Sequence, residues 1–415
     1  MLTNLRNALM TGKRLPYDAQ LEYLESTGTQ HVKLPVRPSS DCDISVDFQV
    51  VTFGQGAPFG GGDGNLSNEI LVLPRTTTAT STDWIYRCGN KQNQAGLSVS
   101  YYDRHTIRWL FNSAYLDGAL VSDITAANAF TATRDYMGLF CSLRNGDTSP
   151  TFMFKGRIFS CKIYVGGVLV RDFIPVRKGT VGYLYDRVSG RLFGNAGTGD
   201  FVLGPDVVPV EYIKSHGTEW IDTWLVSTSS STWVCDCALD YAAGTASAYI
   251  GQTYKTASGG GSPRFTFGRT RSTNRWYCGI GNLNSGTEMP VSDGNRHTFT
   301  LDAPNKAFKV DSNSYAMNWS TFVLPTTIGC GLGLFARSYL DTNGKASAFA
   351  VMRLWGSRHY SAGELANKFL PVRVGTDATS WEGAMMDVLT RRIYRNDGTG
   401  AFGYGNDLKY PIPAE

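Results

Sequence analysis

The stretch Cys42-Asp43-Ile44-Ser45-Val46-Asp47-Phe48 decides the fold. Apolar and polar residues alternate through all of it, the period of a strand with one face buried and one face wet. The same period recurs in Phe159 to Tyr164, in Thr298 to Leu301 and in Ala307 to Val310. Between such runs lie Gly60 to Gly64, Asn145-Gly146-Asp147, Gly166-Gly167 and Gly259 to Gly261, which is turn chemistry. Glycine is abundant at 46 of 415 residues and has no three-residue period, so it belongs to turns and not to collagen. Ser361 to Lys368 reads as a short helical turn, the best one inside this β pattern.

Self-comparison shows the organisation. Leu21 to Gln30 matches Val210 to Glu219, and Cys42-Asp43 with Asp47 matches Cys235-Asp236 with Asp240. Arg104-His105-Thr106 matches Arg296-His297-Thr298, and Gly138-Leu139-Phe140 matches Gly333-Leu334-Phe335. Phe173 to Arg177 matches Phe369 to Arg373, and Asn195 to Gly199 matches Asn396 to Gly400. The offset runs from 189 (Leu21 to Val210) to 201 (Asn195 to Asn396) without a change of order. A period this long is a duplicated domain and not a solenoid repeat. The spacing predicts an N-terminal segment over 1–19, a first domain over 20–205 and a second over 206–415. Each domain is expected to be a two-sheet antiparallel sandwich.

Composition excludes several classes. Hydrophobic residues are 42% and charged residues 18%, which argues for packed domains and against disorder. The net charge of +4 is spread thinly, so no nucleic-acid partner is expected. No apolar run reaches the ~18 residues of a membrane span. The residues Met1 to Met10 lack the continuous apolar core of a secretory signal peptide. The eight cysteines form no CxxC pair and are expected to be free buried thiols, and Cys42, Cys235 and Cys237 alternate with apolar neighbours at inward-facing strand positions.

Three stretches carry a resemblance. They are Glu22 to Gln30, Lys162 to Arg177, and Gly182 to Gly199. Together they resemble the laminin-G-like, concanavalin A-like jelly-roll domains of gut-bacterial phages and prophages. The resemblance covers nearly all of the first domain and the second more loosely, because Trp381 to Asp387 replaces the Gly-Tyr-Leu-Tyr-Asp run. It implies an all-β fold of two tandem jelly-roll sandwiches after a short N-terminal helical segment. It also implies a non-enzymatic role on a virion surface, as a fibre or decoration-type protein that binds host glycan or neighbouring virion proteins. Synthesis in the bacterial cytoplasm and a trimeric homo-oligomer follow by analogy. The alternatives are a carbohydrate-binding or adhesion protein of a bacterial cell surface and, third, a glycan-active hydrolase.

Candidate site residues follow from residue type. Trp84, Tyr86, Tyr101, Tyr102 and Trp109 gather in the first domain, with Trp276 and Tyr277 as counterparts in the second. Tryptophan and tyrosine stack on sugar faces, but the same rings also fill sandwich cores. Leu2, Leu5 and Leu9 form an apolar stripe that could dock on a partner or on another copy. Asp43 and Asp47 share one strand face, expected to be solvated, and the Glu-x-Asp-x-x-Glu motif of jelly-roll glycosidases is missing. His105 and His297 have no serine or cysteine elbow nearby, and no catalytic residue is assigned. No cofactor or metal is expected. Calcium, which the resemblance brings in, finds only partial loops at Asp63-Gly64-Asn65 and Asp341 to Gly344.

Overall fold

The structure, a computed structural model, describes residues 15–408 apart from 53, 65–66, 79–80, 97–99, 101, 125–127, 133–135, 145–148, 240–247, 254–263, 270–274, 282, 285–292, 317–330, 340–345, 348 and 376–378. The expected helix with Leu2, Leu5 and Leu9 lies outside these residues, as do Tyr101, Asp240, Asn65 and the loop at Asp341. The chain forms two compact units, Met1–Val207 and Val208–Glu415. Every regular element among the described residues is a strand.

In the first unit, Cys42–Val50 is the central strand of the first sheet. It pairs antiparallel with Arg104–Leu110 on one side and Lys155–Val165 on the other. Beyond Lys155–Val165 follow Val168–Lys178 and Val181–Asp186. The second sheet runs Ser142–Arg144, Phe59–Gly64, Ser67–Thr78, Ser81–Gly89, Lys91–Gly96. Cys42, Ile44, Val46, Phe48 and Val50 all point into the core, as the alternation requires. Phe48 meets Trp84 at 5.9 Å between ring centroids, and Tyr86 stacks on Trp109 at 6.3 Å. These contacts join one sheet to the other and make the unit a sandwich.

The second unit has the same plan. Ser231–Leu239 pairs with His297–Asp302 and with Val351–Ser361, which continues to Glu364–Gly375 and Trp381–Asp387. Its other sheet runs Ile221–Asp222, Gly333–Leu334, Ala248–Thr253, Arg264–Arg269, Trp276–Gly281. Trp233 meets Phe267 at 5.1 Å, and Trp276 meets Phe299 at 4.8 Å. Among the described residues pairing is antiparallel except for one short parallel step in each unit, Ser142–Arg144 with Phe59–Gly64 and Gln252 with Ser338.

Ser361 to Lys368 is not helical. Val351–Ser361 and Glu364–Gly375 are strands of one hairpin, joined at Ala362 (φ 50°) and Gly363 (φ 87°). Two successive left-handed residues make the tight turn whose twist matches paired strands, and this overrides the helix propensity of Glu364, Leu365 and Ala366. Gly166 and Gly167 make the matching turn in the first unit. The seven described cysteines are free and buried, and burial pushes the Cys88 thiol up to about 12.

Leu15 to Leu21 belongs to the first unit. Tyr17 packs on Tyr185 at 5.0 Å, and Ala19 and Gln20 pair with Arg177 and Val176. The expected separate segment over 1–19 therefore ends inside the sandwich.

Candidate functional site

The aromatic candidates divide by strand alternation. Trp84, Tyr86 and Cys88 share the inner face of Ser81–Gly89, and Trp109 faces them from the other sheet. Trp276 occupies the corresponding inner position in the second unit. Tyr277 points the other way and is also buried, its hydroxyl accepting from Arg264 Nη1 at 2.7 Å. These five rings have no face open to a ligand, and core packing is where the structure places them. Tyr102 is exposed at 43%, and its carbonyl accepts from Gln49 Nε2 at 2.8 Å.

The paired aspartates are occupied by arginine. Arg108 forks onto Asp43 through Nε at 2.9 Å and Nη2 at 2.8 Å. Arg104 does the same to Asp47 through Nε at 2.8 Å and through Nη2. Asp47 is buried, not solvated as expected, because the Arg104 guanidinium lies 3.8 Å over the Phe159 ring and covers it. In the second unit Arg296 forks onto Asp236 at 2.8 and 2.6 Å. Bidentate pairs of this kind commit both carboxylate oxygens.

His105 and His297 each hold a strand start. His105 Nδ1 lies 2.7 Å from Asp117 Oδ2, and its Nε2 lies 2.7 Å from the Ser100 carbonyl. His297 Nδ1 lies 2.6 Å from Asp311 Oδ2, and its Nε2 lies 2.9 Å from Asp293 Oδ1. A carbonyl only accepts, so both ring nitrogens of His105 are placed to donate. Burial opposes the charged ring, but the bonds to Asp117 and Ser100 outweigh it and raise the His105 pKa. His297 is raised in the same way by Asp311 and Asp293. Although burial works against it, the His297 contact and the Asn295 bonds lower Asp293 to about 2. Both ring nitrogens of each histidine are engaged, so each acts as a clamp at its strand start. Among the described residues no three His, Cys, Asp or Glu side chains gather where they could hold a metal ion.

The residue that sequence reasoning missed is Trp224. It is 68% exposed, the most exposed of the large hydrophobic side chains among the described residues. Its backbone is left-handed, at φ 57°. A bulky residue rarely adopts this region, at a cost of about 1–3 kcal/mol. The loop beneath it is tied at every amide. Asp222 N donates to Asp397 Oδ2 at 2.8 Å, and Thr223 N to the Leu332 carbonyl at 3.2 Å. Trp224 N donates to Asp222 Oδ1 at 2.8 Å, and Leu225 N to Thr223 Oγ1 at 3.3 Å. Leu332 N returns to the Leu225 carbonyl at 2.8 Å. The Gly331 amide also bonds the Asp222 carboxylate, and a Cβ on Gly331 would overlap both Asp222 Oδ1 and the Trp224 amide. Burial, with the neighbouring Asp397 charge adding to it, raises the Asp222 pKa, and burial raises that of Asp397. Both carboxylates serve as acceptors for backbone amides.

The signal for this loop was a difference between the copies. After the matched Gly-Thr-Gln and Gly-Thr-Glu, the first copy continues His31-Val32-Lys33-Leu34-Pro35 and the second Trp220-Ile221-Asp222-Thr223-Trp224. Proline stands where the second copy has its exposed tryptophan.

No family model matches the chain. No curated protein matches it either. Among solved structures the chain is similar to mouse laminin alpha1 chain domains LG4-5, at 10% identity and a TM-score of 0.28, covering 97% of this chain and 96% of that one. It is also similar to the NanB sialidase from Streptococcus pneumoniae, at 10% identity and a TM-score of 0.27, covering 89% of this chain and 75% of that one. Likenesses this loose assign neither an activity nor a ligand to the chain.

Proposed function

We propose that the chain is a non-enzymatic binding protein in which the Trp224 loop contacts a host glycan or a neighbouring protein. The observation that carries this reading is the combination at Trp224 of high exposure, a left-handed backbone and a loop whose amides are all engaged. A ring carried on a backbone whose amides are already engaged costs little backbone entropy on binding, and exposed aromatic side chains are effective anchors. The commitment of Asp43, Asp47 and Asp236 to arginine forks supports a non-catalytic role, since an acid or nucleophile needs free oxygens.

The finer reading is a virion-surface protein, of fibre or decoration type, built from two tandem laminin-G-like jelly-roll units. Its support is the resemblance carried by Glu22 to Gln30, Lys162 to Arg177 and Gly182 to Gly199. Its partners on this reading are other virion proteins, a host-surface glycan and further copies of itself as a trimer, and it is made in the bacterial cytoplasm. The test is to screen the full chain and its Trp224→Ala variant on arrays of glycans and of surface proteins. A partner bound by the first and lost by the second supports the reading. Unchanged binding by the variant, or no partner at all, contradicts it.

A further inference from the structure

Lys309, Thr300, Val234, Arg358 and Lys368 stand opposite one another in one row across five neighbouring antiparallel strands of the second unit. Residues paired in this way share a face of the sheet. It is the outer face, because their chain neighbours Phe308, Leu301, Cys235, His359 and Phe369 are all buried. Arg358 is exposed and the other four are half-buried. With strands ~4.8 Å apart, the row is about 19 Å long.

The row holds three cations and no acid. None of the three side chains has a hydrogen bond or an ion pair among the described residues. The carboxylates flanking the row on the same strands are committed elsewhere. Arg296 forks onto Asp236, and Asp302 accepts from Thr232 Oγ1 at 3.3 Å and from Asn305 Nδ2 at 2.9 Å. The equivalent row of the first unit is Tyr115, Arg108, Ser45, Lys162 and Asp172. There Arg108 is forked onto Asp43, and Lys162 stands opposite Asp172. The second unit has Lys368 in the place of Asp172 and Arg358 in the place of Lys162, so two like charges stand directly opposite. That arrangement works against the sheet, and an anion laid over the face relieves it.

We infer that this outer face of the second unit binds a glycan chain carrying carboxylates. The inference deepens the binding reading and rests on it for the ligand being a glycan, but its site is separate from Trp224. Arg358 presents a planar fork that matches a carboxylate, and Lys368 and Lys309 supply point charges to either side. Thr300 offers a hydroxyl between them. Tyr360, two residues beyond Arg358 and half-buried on the same face, offers a ring for the C–H side of a sugar. An open row suits a linear polymer laid across the strands, with one acidic group near each cation.

The experiment is calorimetric titration of the full chain with an oligogalacturonate and with its fully methyl-esterified form, at low and at physiological salt. The acid is expected to bind at least about tenfold more tightly than the ester and to weaken as salt rises, because the row is open to solvent. Lys368→Asp, which rebuilds the opposite-charge pair of the first unit, is expected to abolish the preference at an unchanged or higher melting temperature. Arg358→Gln is expected to remove most of it, while Lys162→Gln and Trp224→Ala leave it intact. Equal affinity for acid and ester, no binding of either, or a preference that survives both Lys368→Asp and Arg358→Gln overturns the inference. Equal or tighter binding of polyglutamate or of a single-stranded oligonucleotide also overturns it, because the face would then select charge alone or another polymer. So does a preference lost in Trp224→Ala, since the ligand would then sit at the other site. An array partner lost in Trp224→Ala, with no binding of the oligogalacturonate, would overturn this inference and leave the Trp224 reading standing; the converse pair of results would leave this face standing on its own.

Discussion

Asp222 Oδ1 accepts the amide of Trp224 at 2.8 Å and holds that residue left-handed, with its indole in solvent. The contact spans two residues, but it works only because Gly331 and Asp397 close the loop from elsewhere in the chain.

The loop separates stability from binding. Trp224→Gly removes a left-handed strain of about 1–2 kcal/mol and adds back about 0.5–1 kcal/mol of backbone entropy, so its stability is expected to be unchanged or slightly higher. Partner binding is expected to be lost. Urea denaturation and an affinity titration on the same protein check both halves.

The acceptor at position 222 matters more than its charge. Asp222→Asn keeps an oxygen for the Trp224 amide and relieves a buried charge, so binding is expected to survive. Asp222→Ala leaves amides unsatisfied, at about 1–3 kcal/mol, and is expected to weaken binding. Gly331→Ala is expected to behave like Asp222→Ala, because its methyl collides with the same two atoms. Comparative affinities of the three variants decide the point.

The two arginine forks are expected to differ in worth. Arg104 and Asp47 are both largely buried, so Arg104→Ala strands a buried carboxylate and should cost about 3–5 kcal/mol. Arg108 is half exposed, and Arg108→Ala should cost under about 1 kcal/mol. Denaturation midpoints of the two variants measure the contrast.

The histidine clamps give stability a pH dependence of known sign. His105 and His297 are raised above the unfolded value of about 6.5. Their contribution is therefore complete below about pH 6.5 and is lost as pH rises through the folded values. Asp117 and Asp103 face the first ring, and Asp293 and Asp311 the second, and all of them favour the charged form. Thermal melts from about pH 5 to 9 should show the melting temperature falling on the alkaline side, and His105→Gln with His297→Gln should flatten that fall.

Much of the fold was legible because burial follows a period of two. Cys42 to Phe48 needed only that rule, and Gly166-Gly167 needed only turn chemistry. Ser361 to Lys368 misled because Glu, Leu and Ala favour a helix locally, while the hairpin is set by pairing with distant strands. The aromatic candidates were legible as sharing a face, since Trp84, Tyr86 and Cys88 alternate together. Cysteine among them was the sign that the face looks inward. Asp47 read as solvated because nothing nearby in sequence announces that Arg104 will cover it. Trp224 was hidden for the same reason: Thr223 Oγ1 finds the Leu332 carbonyl 109 residues away, and no local pattern marks a tryptophan for a left-handed backbone.

The most direct test is the affinity of an array-identified partner for the full chain and for Trp224→Ala, measured with the melting temperature of each. The account predicts a loss of at least about tenfold in affinity, as for an aromatic anchor, at an unchanged melting temperature. Equal affinity of the two proteins would contradict it.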